Sequence, residues 1–210
     1  VFNSSPRLAL NVGDNTSPLT INAGLLAATS ANNINLVQVA PLTVGTIGTL
    51  AGVQAGNALN LTTGDLRLDS PVTGQAVNLH VGGVLTSNQT IPSVTGGSLF
   101  VDLVQDSANP ITVDVRGLSG RSDGNLTVSS TGTLDVVSSN VTNNFILTGN
   151  ADTRVLSPVQ AANVSIDLSA GELRLASRSG AALQASNNVS LQVQAGNLTL
   201  VGPEVAAQAR

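Results

Sequence analysis

The feature that most constrains the fold is a repeat without gaps near the C-terminal end of the chain. Residues 163–175 read NVSIDLSAGELRL, and residues 188–200 read NVSLQVQAGNLTL. A shorter copy, GDLRL, occupies residues 64–68. Two copies of one pattern in the same register, about 25 residues apart, are typical of a solenoid, in which similar coils stack and bury their apolar faces against one another.

A second element also recurs along the chain. Pro followed by Leu or Ile and then by Thr begins at Pro18, Pro41 and Pro110. The three starts are separated by about one and about three repeat lengths, which suggests equivalent places in different coils. When the stretches after Pro41 and Pro110 are aligned, Leu59 and Leu126 are predicted to occupy equivalent places as well.

Alternation of apolar and polar residues over a few positions predicts many short β-strands. Clear cases are residues 77–81, 111–115 and 164–168, each bounded by Gly, Asn, Ser or Pro. Helix signals are nearly absent, and only residues 23–30 and 205–210 could form a helical turn.

The composition indicates a narrow core. Hydrophobic residues make up 41% of the chain, yet it has 3 Phe and no Trp or Tyr. Aromatic side chains fill wide interiors, so an aliphatic core suits a coil in which like residues stack. A β-sandwich gives no reason for repeats in register, and a propeller blade needs about 40 residues and usually an aromatic signature.

We therefore predict an all-β fold, a parallel β-helix with coils of about 20 to 25 residues. Residues 1–210 are predicted to form a single segment of some nine coils, with residues 1–33 as a less regular opening region. Leu175 should then lie beside Leu200, and Leu168 beside Val193. Asparagines at equivalent turns can form hydrogen-bonded ladders; the candidates are Asn33, Asn163, Asn188 and Asn197. Glycines that recur between paired strands can adopt positive φ; they are Gly64, Gly171 and Gly196.

Charge and cysteine content disfavour several classes of partner. Eight Arg and 12 acidic residues give a net charge of -4, and the charges are scattered singly, so nucleic acid and anionic lipid are not expected partners. The absence of Cys removes disulfides and thiolate metal sites. No apolar run reaches the roughly 18 residues of a membrane helix. The chain begins at Val1 with no signal-peptide pattern, so we expect a processed or excised segment of a larger protein.

A row of outward-facing charges is a candidate binding strip. Asp65, Arg67 and Asp69 alternate with leucines, and Glu172 and Arg174 are predicted to occupy equivalent places. Such a strip could bind a charged glycan. The favoured interpretation is a solvated face whose ion pairs contribute about 0–1 kcal/mol each.

The main enzyme alternative is a β-helix enzyme that cleaves an acidic polysaccharide, which needs clustered carboxylates near a cationic group. The densest charged region is the best candidate for such a cluster; it comprises Asp102, Asp106, Asp114, Arg116 and Arg121. The favoured interpretation is again a polar loop beside a strand.

Two further features, a single histidine and three threonines, give only weak indications of a site. His80 is the only histidine and lies between two inward-facing residues of a strand, so we expect a surface histidine rather than a metal ligand or a member of a triad. Thr20, Thr43 and Thr112 could stack into a column of the kind that binds ice, but three threonines make a weak strip. The sequence therefore predicts no catalytic, cofactor-binding or metal-binding residue and no enzymatic activity.

The motifs at 64–68, 171–175 and 196–200, together with the segment that starts at Pro41, resemble repeats of filamentous-haemagglutinin-type proteins. The resemblance covers the chain from about Ile34 onward. It implies a right-handed parallel β-helix, export to the bacterial cell surface by two-partner secretion or as an autotransporter passenger, and a role in adhesion or biofilm formation. The implied partners are flanking coils or further copies of the protein, cell-surface glycans or other cells. Because motifs of the family's secretion domain and membrane anchor are not found, the resemblance implies a shaft segment.

Overall fold

A computed structural model describes residues 17–87, 92–177 and 180–201, together with the backbone of residues 2–3 and 207–209. These residues form an all-β structure without helices, in which parallel strands stack as a β-solenoid of about 8 turns. The predicted fold class is therefore confirmed. No helix long and apolar enough to cross a membrane occurs within the described ranges.

All regular secondary structure in the described part of the chain is β-strand, in strands of 2 to 12 residues. In chain order they are β1 (Phe2–Asn3), β2 (Leu19–Thr20), β3 (Leu25–Leu26), β4 (Ala28–Ser30), β5 (Ile34–Val37), β6 (Leu42–Val44), β7 (Thr46–Ile47), β8 (Leu50–Ala51), β9 (Val53–Ala55), β10 (Ala58–Thr63), β11 (Leu66–Leu68), β12 (Val72–Val81), β13 (Leu85–Ser87), β14 (Val94–Leu103), β15 (Ile111–Ser122), β16 (Leu126–Ser130), β17 (Leu134–Val141), β18 (Asn144–Gly149), β19 (Thr153–Val155), β20 (Val159–Leu168), β21 (Leu173–Leu175), β22 (Leu183–Val193), β23 (Leu198–Leu200) and β24 (Ala207–Ala209).

The strands form three stacks. Stack A contains β4, β9, the first parts of β12, β14 and β15, then β16, β18 and the second parts of β20 and β22. Stack B contains β2, β5, β10, the second parts of β12, β14 and β15, and then β17. Stack C contains β3, β6, β11 and β13. Beyond β17, stack B divides between β19, β21 and β23 on one side and the first parts of β20 and β22 on the other.

The predicted vertical neighbours are confirmed. Leu175 pairs with Leu200, and Leu168 pairs with Val193, in parallel register. Strand register therefore follows the gapless repeat of the sequence in this part of the chain.

The core is made of aliphatic columns that run along the solenoid. One column in stack B contains, in successive coils, Ile34, Leu59, Val77, Leu99 and Leu118, all buried. Burying such a side chain stabilises the fold by about 1.5–3 kcal/mol. Each coil places its apolar residues on those of its neighbours, so the columns join into one continuous core.

Equivalences predicted between distant coils are wrong in the first two-thirds of the chain. Leu59 pairs with Val77 in stack B, whereas Leu126 pairs with Phe145 in stack A. The Pro-Leu-Thr elements fall in three different stacks, because Leu19 lies in stack B, Leu42 in stack C and Ile111 in stack A.

The threonine column is consequently not formed. Thr20 pairs with Val37, Thr43 with Arg67 and Thr112 with Ser129. The mismatch arises because the coils differ in length.

Coil length varies more than the repeat predicts. Stacked Asn35 and Asn60 are 25 residues apart, whereas stacked Asn60 and Asn78 are only 18 apart. The longer of these coils contains the antiparallel hairpin of β7 and β8, which lies outside the three stacks. Such an insertion lengthens one coil without changing the columns on either side of it.

Local propensity is overridden at both predicted helical turns. Within residues 23–30, Leu25 pairs with Thr43 and Ala28 pairs with Val53, while the backbone of residues 207–209 pairs with β22. Pairing with the adjacent coil satisfies the backbone groups that a short, marginal helix would have satisfied internally.

The predicted glycine turns are only partly confirmed. Gly171 has φ 95, and a Cβ there would lie 2.5 Å from the carbonyl carbon of Ala151. Gly64 does not have positive φ; it is required because a Cβ there would lie 2.4 Å from the carbonyl oxygen of Val39.

Candidate interaction surface

An amide ladder runs along stack A at the start of its strands. The side-chain nitrogen of Asn144 donates to the side-chain oxygen of Asn125 at 2.6 Å, Asn163 donates to Asn144 at 2.8 Å, and Asn188 donates to Asn163 at 3.2 Å. At its first rung, the backbone and side-chain nitrogens of Asn125 donate to one carboxylate oxygen of Asp106 at 2.6 and 2.9 Å. Every amide thus donates toward the N-terminal end of the solenoid.

The sequence prediction found part of this ladder. Asn163 and Asn188 are confirmed as members. The side-chain oxygen of Asn33 instead accepts the backbone N–H of Ala58. At Asn197, the backbone carbonyl oxygen accepts the backbone N–H of Leu173. The missed members are Asp106, Asn125 and Asn144. The pattern Asn-apolar-x-apolar occurs at 125, 144, 163 and 188, but it occurs also at Asn33, Asn78 and Asn197, so the pattern alone does not identify the ladder.

Asn188 is the last rung of the ladder within the described residues. Among the described residues, none donates to the side-chain oxygen of Asn188, and none pairs with β22 from Asn188 onward on the side away from β20. Beside this edge, Leu198 and Leu200 are 48% and 59% exposed. The last described coil therefore presents an ordered strand edge with an apolar row next to it.

A charged cluster lies on the outer face of stack B. One side-chain nitrogen of His80 lies 3.4 Å from a carboxylate oxygen of Asp102, and Arg121 lies 4.0 Å from Asp102 and 3.9 Å from Asp123. The ring of Phe100 packs at 5.6 Å from the His80 ring. His80 is thus a surface residue, as predicted.

A notch adjoins this cluster at the end of the stack B strands. Val37, Thr62, His80 and Asp102 occupy equivalent places in four successive coils. Two positions further along each coil stand Val39, Gly64, Gly82 and Val104 in turn. The result is a depression of about 480 Å³ with two glycines between two valines.

The predicted charged strip is used mainly for local contacts. Arg67 donates to both carboxylate oxygens of Asp69 at 2.8 and 2.9 Å, and the Asp65 carboxylate accepts the backbone N–H of Val84 at 2.8 Å. Arg174 is not equivalent to Arg67, because Arg174 pairs with Arg154 in the extension of stack B, whereas Arg67 belongs to stack C. The two halves of the strip therefore lie in different stacks.

The predicted carboxylate cluster is assembled only in part. Asp102 and Arg121 come together, but Asp106 is bonded to Asn125 in the ladder. Within the described ranges, no group of three or more His, Cys, Asp or Glu side chains could hold a metal ion.

One ion pair joins two residues that no sequence pattern indicates. Arg154 donates to both carboxylate oxygens of Asp135 at 2.6 Å across adjacent coils. Hydrogen bonding and charge attraction from Asp135 raise the pKa of the Arg154 guanidinium above its ordinary value. The pair is therefore a fixed charged contact on the outer surface.

Comparison of the chain with known protein families, curated proteins and solved structures gives no match. What supports a function is therefore the solenoid, the open edge at Asn188 and the lateral notch.

Proposed function

We propose that the chain is a non-enzymatic structural and adhesive shaft of a bacterial surface or filament protein. The continuous apolar core from Leu26 to Ala185, which is aliphatic apart from Phe145, is the observation that carries this proposal. At roughly 4.8 Å per coil, about eight coils form a rod about 40 Å long. The resemblance to filamentous-haemagglutinin-type repeats supports a location at the cell surface or in the secreted material.

The chemistry of the charged side chains supports a structural role. Asp65 and Asp106 accept backbone N–H groups, and Asp135 holds Arg154. A carboxylate that is occupied by such bonds serves the fold rather than a reaction. The exposed ion pair of Asp135 and Arg154 contributes little to stability, and what it does is link two adjacent coils.

The open edge at Asn188 supports association with another coil. An incoming parallel strand with the pattern Asn-apolar-x-apolar would donate its side-chain amide to Asn188 and cover the partly buried Val189, Leu191 and Val193 of β22. Such strand addition gives affinity through main-chain hydrogen bonds and specificity through alternate side chains. Asn188 and these apolar residues thus fit a further coil of the same type as their partner.

A peptide of the chain's own residues 187–201 tests the edge. It should bind the purified chain in a fluorescence anisotropy titration, and a peptide with Asn188→Leu should bind about fivefold more weakly because one hydrogen bond of about 1 kcal/mol is lost. A peptide with its apolar residues replaced by serine is the control. Equal binding of all three peptides, or no binding, would contradict this association.

The non-enzymatic role is tested with acidic polysaccharides. The purified chain is incubated with polygalacturonate, alginate and hyaluronate, and new reducing ends and unsaturated sugars are measured. We expect none, together with an elongated particle in small-angle scattering. Release of sugar that is lost on Asp102→Asn would overturn the proposal in favour of a polysaccharide-cleaving enzyme.

A further inference from the structure

The lateral notch is bounded by two exposed valines with two glycines between them, an arrangement that a purely structural shaft does not require. Val39 and Val104 are 90% and 58% exposed, whereas the nearby Leu36 and Leu103 of the strands that precede them are buried. They stand three coils apart, or about 14 Å at roughly 4.8 Å per coil. Between them the coils carry Gly64 and Gly82, which leave the backbone as the floor of the notch.

The notch is apolar on its floor and walls but polar along one side. Thr62, His80 and Asp102 line that side, and Arg121 reaches Asp102 from the next coil. The contacts of His80 with Asp102 at 3.4 Å and of Arg121 with Asp102 at 4.0 Å are longer than well-formed hydrogen bonds. These partly exposed side chains therefore keep donors and acceptors for a ligand, while the Phe100 ring supports the His80 ring.

Two classes of ligand fit this surface poorly. An extended peptide would need free backbone groups, but the N–H groups of Gly82, Gly83 and Val104 already donate to Thr63, Gly64 and Val81 in the adjacent coils. An anionic ligand would meet two carboxylates, Asp102 and Asp123, against the single guanidinium of Arg121. Like charges without compensation oppose binding.

We propose that the notch binds a short segment of an uncharged glycan. The C–H face of one pyranose ring packs on Val39 and that of a later ring on Val104, and the hydroxyl groups between them bond to Thr62, His80 and Asp102. A sugar ring is apolar on its faces and polar around its edge, which matches a notch that is apolar on its walls and polar along one side. This inference rests on the adhesive part of the proposed function and names the chemistry of its partner.

Amide chemical shifts of the isotope-labelled chain test the site. The probes are the tetrasaccharides of the maltose, cellulose, mannan and chitin series and, as the anionic comparison, tetragalacturonate. At least one uncharged tetrasaccharide should shift the amide signals of residues 62–64, 80–82 and 102–104 in a saturable manner. Tetragalacturonate should bind at least tenfold more weakly.

Gly82→Val is the decisive variant because it fills the notch and leaves the polar groups in place. A Cβ at Gly82 meets its nearest atoms at 3.5 and 4.0 Å, which is ordinary contact, so the fold should be retained. Gly24→Val is the matched control, because a Cβ there meets nothing within 4 Å. Gly82→Val should weaken binding at least tenfold, and Gly24→Val should bind as the unaltered chain does.

Three results would overturn the inference: no shift with any uncharged tetrasaccharide, equal binding by Gly82→Val, or tighter binding of tetragalacturonate. They are distinguishable from failure of the proposed function. An elongated, non-enzymatic chain that binds no sugar loses only the notch proposal, whereas cleavage of acidic polysaccharides would overturn the shaft role whatever the notch binds.

Discussion

The side-chain nitrogen of Asn163 donates to the side-chain oxygen of Asn144 one coil away, at 2.8 Å. Both side chains are only partly exposed, and each also bonds to a further asparagine of the ladder. Removing the Asn144 side chain therefore breaks two bonds: the Asn163 amide loses its acceptor, and the Asn125 oxygen keeps only the backbone N–H of residue 144.

Asn144→Ala should lower the free energy of unfolding by about 1–3 kcal/mol, because Asn163 loses its acceptor and Asn125 loses a donor. Urea denaturation followed by circular dichroism measures the change. The neighbouring Asn143 is exposed, so Asn143→Ala is the control and should shift stability by less than about 0.5 kcal/mol. Equal effects of the two changes would show that the ladder adds nothing to stability.

Gln38 is buried and joins the first described coil to the second. Its side chain accepts the N–H of Ala23 at 2.9 Å and donates to the carbonyl oxygens of Ala23 and Pro41 at 2.8 and 2.9 Å. Gln38→Leu keeps the volume but leaves these backbone groups unpaired, so we expect a loss of about 3 kcal/mol.

The effect of Gln38→Leu should be local as well as global. Amide hydrogen exchange at Ile21 and Ala23 should accelerate, because this end of the solenoid opens first. Gln54→Leu, at an exposed position, is the control. Unchanged exchange at both amides would mean that Gln38 does not hold the two coils together.

Thr153 carries a buried hydroxyl group with no hydrogen-bond partner. Thr153→Val removes that group and keeps the shape of the side chain, so the chain should gain about 1 kcal/mol or more in thermal or urea unfolding. The exposed Thr142 supplies the comparison, and Thr142→Val should have little effect. A loss of stability in Thr153→Val would indicate that a bound water satisfies the hydroxyl group.

Gly171 cannot carry a side chain without strain. Its φ is 95, and an added Cβ would approach the carbonyl carbon of Ala151 to 2.5 Å. Gly171→Ala should therefore lower the free energy of unfolding by about 2 kcal/mol or more. Gly82→Ala, whose Cβ makes only ordinary contacts, should be nearly neutral, and a similar loss in both variants would contradict the geometric explanation.

The asparagine ladder could be predicted in part from the sequence, whereas the notch could not. Asn163 and Asn188 stand at matching places in a gapless repeat, so their pairing could be predicted. Asp106 was assigned to an acidic cluster, because its partner Asn125 belongs to a coil whose register the sequence did not show. The notch was missed altogether, since Val39 and Val104 are far apart in the chain and neither has an unusual local context.

By itself, the sequence determined a narrow aliphatic solenoid and the register of its last coils. Alternating apolar residues fix which side of a strand faces the core, and equal coils place Leu175 beside Leu200. Only the tertiary structure decided which stack each earlier strand joins. Each coil must stack on the one before it, whatever its length. The β7–β8 hairpin lengthens one coil, whereas another has only 18 residues. The number of residues between two positions therefore does not tell how many coils separate them. The notch exists because that closure places Gly64 and Gly82 between two exposed valines.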